Sequence, residues 1–150
     1  MSTSTDLEYV DFESPREDWT IFELADGTIL KSKYILGTVL KGKGAIGEYS
    51  VNHHVFTVAI VPKKYWGPPD SKKYTQPELM VAIEEEDIKA ECKTPDMWYV
   101  YKLKDGFTLS VKLELVIASR TKMYSERGDR IYIFNIEQLV KGKKTQQPKP

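Results

Sequence analysis

The sequence predicts an all-β protein made of two tandem copies of a small antiparallel β unit, arranged as a barrel or a sandwich. Residues 19–36, "WTIFELADGTILKSKYIL", and residues 98–115, "WYVYKLKDGFTLSVKLEL", repeat one pattern at an offset of 98 − 19 = 79. The stretches "LELVIAS" and "DRIYIFNIEQLV" are rich in β-branched and aromatic residues and are typical of strands. No segment longer than a turn or two has helical periodicity. Together these observations favour strands throughout, with an internal duplication.

Each copy begins with a β-hairpin whose turn contains Asp-Gly. A three-residue loop in the second copy pairs Tyr101 with Leu109 and makes one face of the hairpin wholly apolar, whereas a two-residue loop mixes the faces. The three-residue loop normally ends in a left-handed residue, a conformation that glycine adopts without steric cost. The predicted structural turn residues are Asp26, Gly27, Asp105 and Gly106.

The closing strand of the second copy is predicted in "DRIYIFNIEQLV" (129–140), and that of the first copy in "PELMVAIEEEDIKAE" (77–91). Ile88 in the first segment matches Leu139 in the second at an offset of 139 − 88 = 51, which leaves 79 − 51 = 28 extra residues in copy one. We therefore expect an inserted loop or hairpin within residues 41–73. The expected boundaries are an acidic tail at 1–13, unit 1 at 14–93, unit 2 at 94–141 and a basic tail at 142–150, with both units in one compact domain.

A chain of this kind is similar to a homodimer fused into one polypeptide, which predicts a pseudo-two-fold interface made by the outward Trp and Tyr positions. The motif "Y-K-L-K-D-G … Y … G-D-R-I-Y-I-F" resembles a group of small archaeal and bacterial proteins with a "LEDGT … G-x-P-x-Y-x-V" signature, which usually carry one copy. The resemblance covers most of residues 97–140 and, less well, 18–40 with 74–91. It implies a hairpin-based β fold and transfers no activity.

Composition restricts the classes of function. The 150 residues carry 22 basic and 22 acidic side chains, so no global field attracts the chain to nucleic acid or to an anionic membrane. The single cysteine, Cys92, excludes an internal disulfide framework and a Cys-based zinc site. Because the sequence contains neither a signal-like apolar start nor an 18-residue apolar run, we expect a cytoplasmic protein with no membrane partner. Eighteen lysines against four arginines, with few amides, are typical of thermophilic proteins.

The chemistry-bearing residues do not form a recognisable catalytic motif, so the expectation is a non-enzyme without cofactor or metal. His53 and His54 are neighbours on a predicted strand and should point to opposite faces, so they cannot readily ligate one metal. The favoured interpretation is that they are ordinary surface or core histidines. Both are kept as ligand-pocket candidates, with a proton-transfer role open to whichever ring faces a pocket. The acidic run 84–87 lacks the glycine and the ligand spacing of a calcium loop, and is predicted to be a solvated strand end.

The insert carries the strongest candidate for a binding site. Its segment "KKYWGPPDSKKY" (63–74) holds four lysines and three aromatic residues around a proline-rich turn. Two prolines stiffen this loop and lower the entropy cost of presenting its rings to a partner. The alternative is that Trp66 folds back and covers one end of the β fold, while the lysines only solvate the loop. The candidate binding residues are Lys63, Lys64, Tyr65, Trp66, Lys72, Lys73 and Tyr74.

Three functions follow from these features. The favoured one is a non-catalytic β interaction module, an accessory subunit or protein-binding factor of a larger assembly. The first alternative is an RNA- or ribosome-associated factor that binds single strands through lysines and stacked rings. The second is a small-ligand-binding barrel with His53 or His54 at its pocket. The expected oligomeric state is a monomer with an internal pseudo-two-fold axis, or a weak homo-oligomer.

Overall fold

A computed structural model describes residues 7–13, 17–42 and 49–144. These residues form two antiparallel sheets of five strands each, which confirms the all-β prediction. In this part of the chain neither sheet closes into a barrel, so the sandwich is the correct one of the two predicted arrangements. The strands are β1 (Leu7–Tyr9), β2 (Phe12–Glu13), β3 (Thr20–Leu24), β4 (Ile29–Gly42), β5 (Tyr49–Ile60), β6 (Ile83–Glu85), β7 (Ala90–Cys92), β8 (Tyr99–Leu103), β9 (Phe107–Tyr124) and β10 (Arg130–Lys144).

Each sheet is organised around one long strand. In sheet A, β4 pairs with β5 along one edge and with β3 and β1 along the other, and β7 lies outside β3. In sheet B, β9 pairs with β10 along one edge and with β8 and β6 along the other, and β2 lies outside β8. The units β3–β4–β5 and β8–β9–β10 therefore have the same strand order.

Both predicted hairpins form with the predicted register. Tyr101 pairs with Leu109, and Phe22 pairs with Leu30 at the corresponding place in the first hairpin. Gly27 and Gly106 have φ angles of 94° and 91°, in the left-handed region that glycine tolerates. In both turns an aspartate side chain accepts the amide N–H two residues further on, which is the usual Asx turn.

The correspondence of the two units extends to their third strands. Ile29 pairs with Ile60 and Thr108 pairs with Lys143, so the offset is 108 − 29 = 79 for the central strands and 143 − 60 = 83 for the third strands. The register shift after Leu36 in β4 recurs at the equivalent place in β9, since 36 + 79 = 115 and the shift there follows residue 115. A tandem duplication remains our interpretation of these shared registers.

The two sheets pack face to face through two hydrophobic clusters. One lies between the second half of β4 and the β8–β9 hairpin, and the other lies between the β3–β4 hairpin and the second half of β9 with β10. Across this interface the hydroxyl of Thr20 is 2.9 Å from the hydroxyl of Tyr99, and these positions are equivalent because 99 − 20 = 79. Contacts between equivalent positions are what a two-fold arrangement produces.

The aromatic residues of this interface are tyrosines and not the outward tryptophans. Tyr34, Tyr99 and Tyr101 are buried between the sheets. Trp19 and Trp98 are half-buried and lie beside lysine ammonium groups, Lys31 and Lys33 for the first and Lys112 and Lys141 for the second. The prediction that tryptophans form the interface is therefore corrected, because strand alternation turns them to the outer faces.

Two expected boundaries in the first unit are also corrected. The segment 77–91 is not one closing strand, because it contains most of the helix α1 (Gln76–Val81) followed by the short strands β6 and β7. Thr75 caps this helix, and Glu78 completes the capping box with Pro77 in the first turn. The third strand of the first unit is instead β5, which lies inside the expected insert 41–73 and pairs with most of β4. The segment that joins the first unit to the second is therefore the stretch that follows Ile60.

The expected acidic tail at 1–13 is corrected as well. Residues 7–13 contribute β1 to sheet A and β2 to sheet B. The first three residues of the expected basic tail, 142–144, belong to β10. The rest of both predicted tails, 1–6 and 145–150, lies outside the described residues. Among the residues that the structure does describe, no helix has the length and apolar character needed to cross a bilayer.

Candidate functional site

The predicted Lys/aromatic segment 63–74 packs back onto the sandwich. The indole Nε1 of Trp66 donates to the carbonyl oxygen of Val61 at 2.9 Å, and the amide of Gly67 donates to the carbonyl oxygen of Gly128 at 2.8 Å. A Cβ atom at Gly67 would lie 2.5 Å from the ring of Tyr124, so only glycine permits this close approach. The amides of Gly67 and Asp70, which donate to Gly128 and Ser125, therefore attach the loop to the β9–β10 turn, and its half-buried rings do not project freely.

Each of the three aromatic rings of this segment makes a cation–π contact with a lysine or arginine of the same chain. The Lys63 ammonium lies 4.0 Å from the Trp66 ring centre, and the Lys72 ammonium lies 5.0 Å from that of Tyr74. Tyr65 lies beneath the guanidinium of Arg120 at 3.9 Å, with the Lys64 ammonium at 5.1 Å. The rings are half-buried, while Lys63, Lys64, Lys72 and Lys73 are exposed.

This segment fills one end of the sandwich. Val61, Tyr65 and Trp66 pack against the cluster that contains Leu24 and Tyr132. We call this region the closed end, defined by Val61, Tyr65 and Trp66 with the side chains beneath them. Of the two arrangements that the sequence allowed for Trp66, the structure has the one in which the ring folds back and covers an end of the fold.

Arg120 lies under the closed end and was not predicted. Its guanidinium contacts the carboxylates of Asp26 at 2.8 Å and Glu85 at 2.9 Å, and it also pairs with Glu84. The side chains of Arg120 and Asp26 are 10% and 3% exposed. Glu84 and Glu85 of the acidic run thus pair with this arginine, while Glu86 and Asp87, which end the run, are exposed as predicted. The available signal was the scarcity of arginine, with four in a chain of eighteen lysines.

Asp26 is held as a carboxylate by several donors. Its Oδ2 accepts the hydroxyl of Tyr132 at 2.6 Å, in addition to the Arg120 contact, and its Oδ1 accepts the amide of Thr28 at 2.9 Å. Burial alone would raise the pKa of Asp26, but these hydrogen bonds outweigh it and the pKa lies below its usual value. The predicted turn residue Asp26 therefore also anchors one sheet to the other.

The same triad occurs at the opposite end of the sandwich. Asp105 accepts the hydroxyl of Tyr49 at 2.6 Å and the ammonium of Lys41 at 3.2 Å. The positions are equivalent, since 105 − 26 = 79, 120 − 41 = 79 and 132 − 49 = 83. Here the side chains are open to water, with Lys41 24% and Asp105 23% exposed. Burial first, and then the hydrogen bond to Asp105, raise the pKa of Tyr49.

A pocket of about 220 Å³ lies beside this second triad, and we call this region the open end. Its walls include Tyr34, Tyr49 and His53, and the remaining lining is mostly aliphatic and aromatic. The Tyr34 hydroxyl is 2.9 Å from His53 Nδ1, and burial raises the pKa of Tyr34 to about 12. His54 pairs with Ile35 on the outer face and does not line this pocket. The expectation that the two histidines face opposite sides of the strand is confirmed.

The outer face of sheet A carries an apolar patch next to β5. Ile35, Phe56 and Ile60 are 40%, 48% and 52% exposed. The Trp19 ring centre lies 6.1 Å from that of Phe56, with the ammonium groups of Lys31 and Lys33 at 4.8 and 4.6 Å from the indole. Ile35, Phe56, Ile60 and Trp19 form what we call the outer patch.

The described residues offer no metal centre, since none of their groups of His, Cys, Asp and Glu brings together three potential ligands. Cys92 is half-buried, with its sulfur 3.9 Å from the Thr94 hydroxyl. Comparison of the chain with protein-family models, curated proteins and solved structures found no match. The resemblance inferred from the hairpin motif therefore stays a prediction, and the function has to be argued from the geometry.

Proposed function

We propose that this protein is a non-catalytic β interaction module that binds a partner protein by accepting a strand of that partner at β5. The observation that carries the proposal is the composition of this edge strand. None of the twelve residues Tyr49–Ile60 is Lys, Arg, Asp, Glu, Pro or Gly. No described strand pairs with the side of β5 that faces away from β4, and we call this side the β5 edge.

An unprotected edge of this length is uncommon in a soluble β protein. Exposed edge strands present unpaired N–H and C=O groups, and proteins normally protect them with charges, prolines, bulges or a covering segment. The equivalent strand β10 follows that rule. It contains Arg130, Glu137, Lys141, Lys143 and Lys144, although it also lacks a second described neighbour. The difference favours β5 as the edge that a partner strand joins.

The outer patch adds side-chain recognition to this backbone pairing. A strand added at the β5 edge would place alternate side chains beside Phe56 and Ile60, where apolar cross-strand pairs contribute stability. Lys31 and Lys33 stand beside the same patch and favour a partner strand that carries acidic residues next to its apolar ones. The proposed partner segment is therefore extended, apolar at alternate positions and acidic between them.

A pair of matched variants tests this function. Phe56→Lys adds a charge to the outer face of β5, and Leu139→Lys adds one at the equivalent place on β10, since 56 + 83 = 139; the two side chains are 48% and 42% exposed. The tagged full-length proteins are used for nuclease-treated pull-downs from the native organism. We expect a protein partner with the wild type and with Leu139→Lys, and its loss with Phe56→Lys.

Amide hydrogen exchange on the purified complex then locates the contact. The amides of Tyr49–Ile60 should gain protection when the partner binds, and those of β10 should not. A partner that disappears on nuclease treatment would instead favour the nucleic-acid alternative and its lysines at 63, 64, 72 and 73. Protection confined to segment 63–74 would move the contact to that loop and contradict the β5 assignment.

A further inference from the structure

We infer that the open end is a binding site for a small, planar, largely apolar molecule about the size of an indole, with one hydrogen-bonding group directed at Tyr34 and His53. The inference is independent of strand addition, because the pocket lies on the inner side of β5 and the outer patch lies on the other. It starts from what fills the equivalent place at the closed end.

The walls of the two ends correspond residue by residue. Leu103, Leu109 and Tyr49 line the open-end pocket. Their equivalents at offsets of 79 and 83 are Leu24, Leu30 and Tyr132, which belong to the cluster at the closed end. At the closed end those walls contact Val61, Tyr65 and Trp66, which follow β5 in the chain. The fold therefore has a hollow at each end, and aromatic rings of the chain itself occupy one of them.

At the open end the described residues leave that hollow unfilled, and its volume suits one fused ring system. An apolar cavity of about 150 Å³ is large enough to hold benzene. The open-end pocket, at about 220 Å³, has room for a bicyclic ring. The Tyr49 and Phe107 ring centres are 4.6 Å apart, which gives the pocket an aromatic wall for a flat ligand.

The polar groups of the pocket are few and distinctive. At the closed end the equivalents of Tyr34 and His53 are Leu113 and Ile136, since 34 + 79 = 113 and 53 + 83 = 136. The open end thus has a hydroxyl and an imidazole where the closed end has two aliphatic side chains. Apolar walls with a small number of placed polar groups are the usual make-up of a ligand pocket. A donor such as an indole N–H would meet an acceptor at the imidazole or at the Tyr34 hydroxyl oxygen.

Indole is the probe for a direct test, by saturation-transfer NMR and calorimetry on the full-length protein. We expect one saturable site with a Kd on the order of 0.1–1 mM, the range for a ligand of this few atoms. Val51→Trp fills the pocket and should abolish binding. The matched control is Phe134→Trp, at the equivalent position of the closed end because 51 + 83 = 134, and it should bind as the wild type does.

The equivalence of the two ends gives a second test, which remains valid even if the Val51→Trp variant fails to fold. Removing the indole side chain with Trp66→Ala should create a second site, so the stoichiometry should rise from one to two and added indole should raise the melting temperature of this variant. Comparison of indole with indene, which lacks the N–H, should show about a three- to tenfold preference for indole, and His53→Ile should remove that preference.

The outcomes separate clearly. Absence of saturable indole binding to the wild type, or binding that Val51→Trp leaves intact, would overturn the assignment of the open end. A preference for indole over indene that survives His53→Ile would overturn the role of the imidazole. None of these results bears on strand addition at β5, because Phe56 lies on the outer face and does not line the pocket.

Discussion

The two ends of the sandwich use the same backbone for different purposes. At the closed end, Arg120, Asp26 and Tyr132 form a buried triad beneath the rings of Tyr65 and Trp66. At the open end the equivalent triad is exposed, and a pocket lies where those rings would be. Because strand order and register are the same, the difference among the described residues is due to side chains and to the segment that follows β5. Stability should therefore depend mainly on the closed end, and the inferred binding of a small molecule on the open one.

The largest effect should come from breaking the buried triad. Arg120→Ala leaves Asp26 without its cation, while Glu84 keeps its pair with Arg130, and losing one partner of a buried ion pair costs about 3–5 kcal/mol. Lys41→Ala at the equivalent exposed position should cost no more than about 1 kcal/mol. Urea unfolding of both variants measures the two free energies, and similar values would disprove that the closed end is the more important for stability.

The next largest effect should come from the ring that fills the closed end. Trp66→Ala removes a half-buried indole that packs against the hydrophobic cluster of the closed end. It should lower the free energy of unfolding by about 2–4 kcal/mol, somewhat less than the loss of a fully buried ring. Trp98→Ala is the comparison, since its indole lies on an outer face beside Lys112 and Lys141, and about 1 kcal/mol is expected there. If Trp98→Ala were the more damaging variant in the same unfolding assay, the description of Trp66 as a core residue would be wrong.

A smaller loss of stability is expected from substituting the turn glycines, Gly27 at the closed end and Gly106 at the open end. Gly106→Val places a β-branched residue at a φ of 91° and should cost about 1–3 kcal/mol. Gly27→Val should cost more, because a Cβ at Gly27 also lies 3.3 Å from the Pro62 ring, just before the segment that fills the closed end. Thermal melts by circular dichroism give the order. Gly106→Asn is a milder control, since asparagine tolerates this conformation, and an unchanged melt for Gly106→Val would contradict the turn assignment.

The smallest effect should appear in how steeply the free energy of unfolding falls at acid pH. The folded pKa of Asp26 lies below its unfolded value near 3.8, so its contribution is fully present above about pH 4 and disappears as the pH falls through the folded pKa. Asp26→Asn should lower stability at neutral pH and flatten the decline below pH 4. Asp105→Asn should flatten the decline less, because water screens its contacts. Unfolding free energies measured between pH 7 and pH 2 test this, and identical slopes in both variants would count against it.

Local features of the chain were predictable because short-range sterics control them. The Asp-Gly turns, the three-residue loop and the pairing of Tyr101 with Leu109 all follow from the requirement for one apolar face on a hairpin. The opposite orientation of His53 and His54 follows from strand alternation alone. Such features need only a few neighbouring residues and do not depend on the rest of the fold.

The third strand of the first unit was assigned to the wrong segment for a physical reason. Its alternating pattern in "YSVNHHVFTVAI" has no glycine or proline landmark, while the apolar residues of segment 77–91 seemed a closer match to β10. What decides between them is the pairing of β5 along β4, which is a contact across sheet A. Thr75 and Glu78 instead cap a helix in the competing segment.

The sequence by itself determined the all-β class, the two hairpins and their turn residues, and the Lys/aromatic composition of segment 63–74. Tertiary structure alone decided that this segment covers one end of the sandwich, that Arg120 is buried against Asp26, and that the equivalent end has a pocket beside His53. Turn and strand preferences arise from the backbone and from nearest neighbours, so they can be recognised along the chain. The burial of a side chain and the presence of a pocket depend on which distant side chains meet when two sheets pack, and no local pattern encodes those contacts.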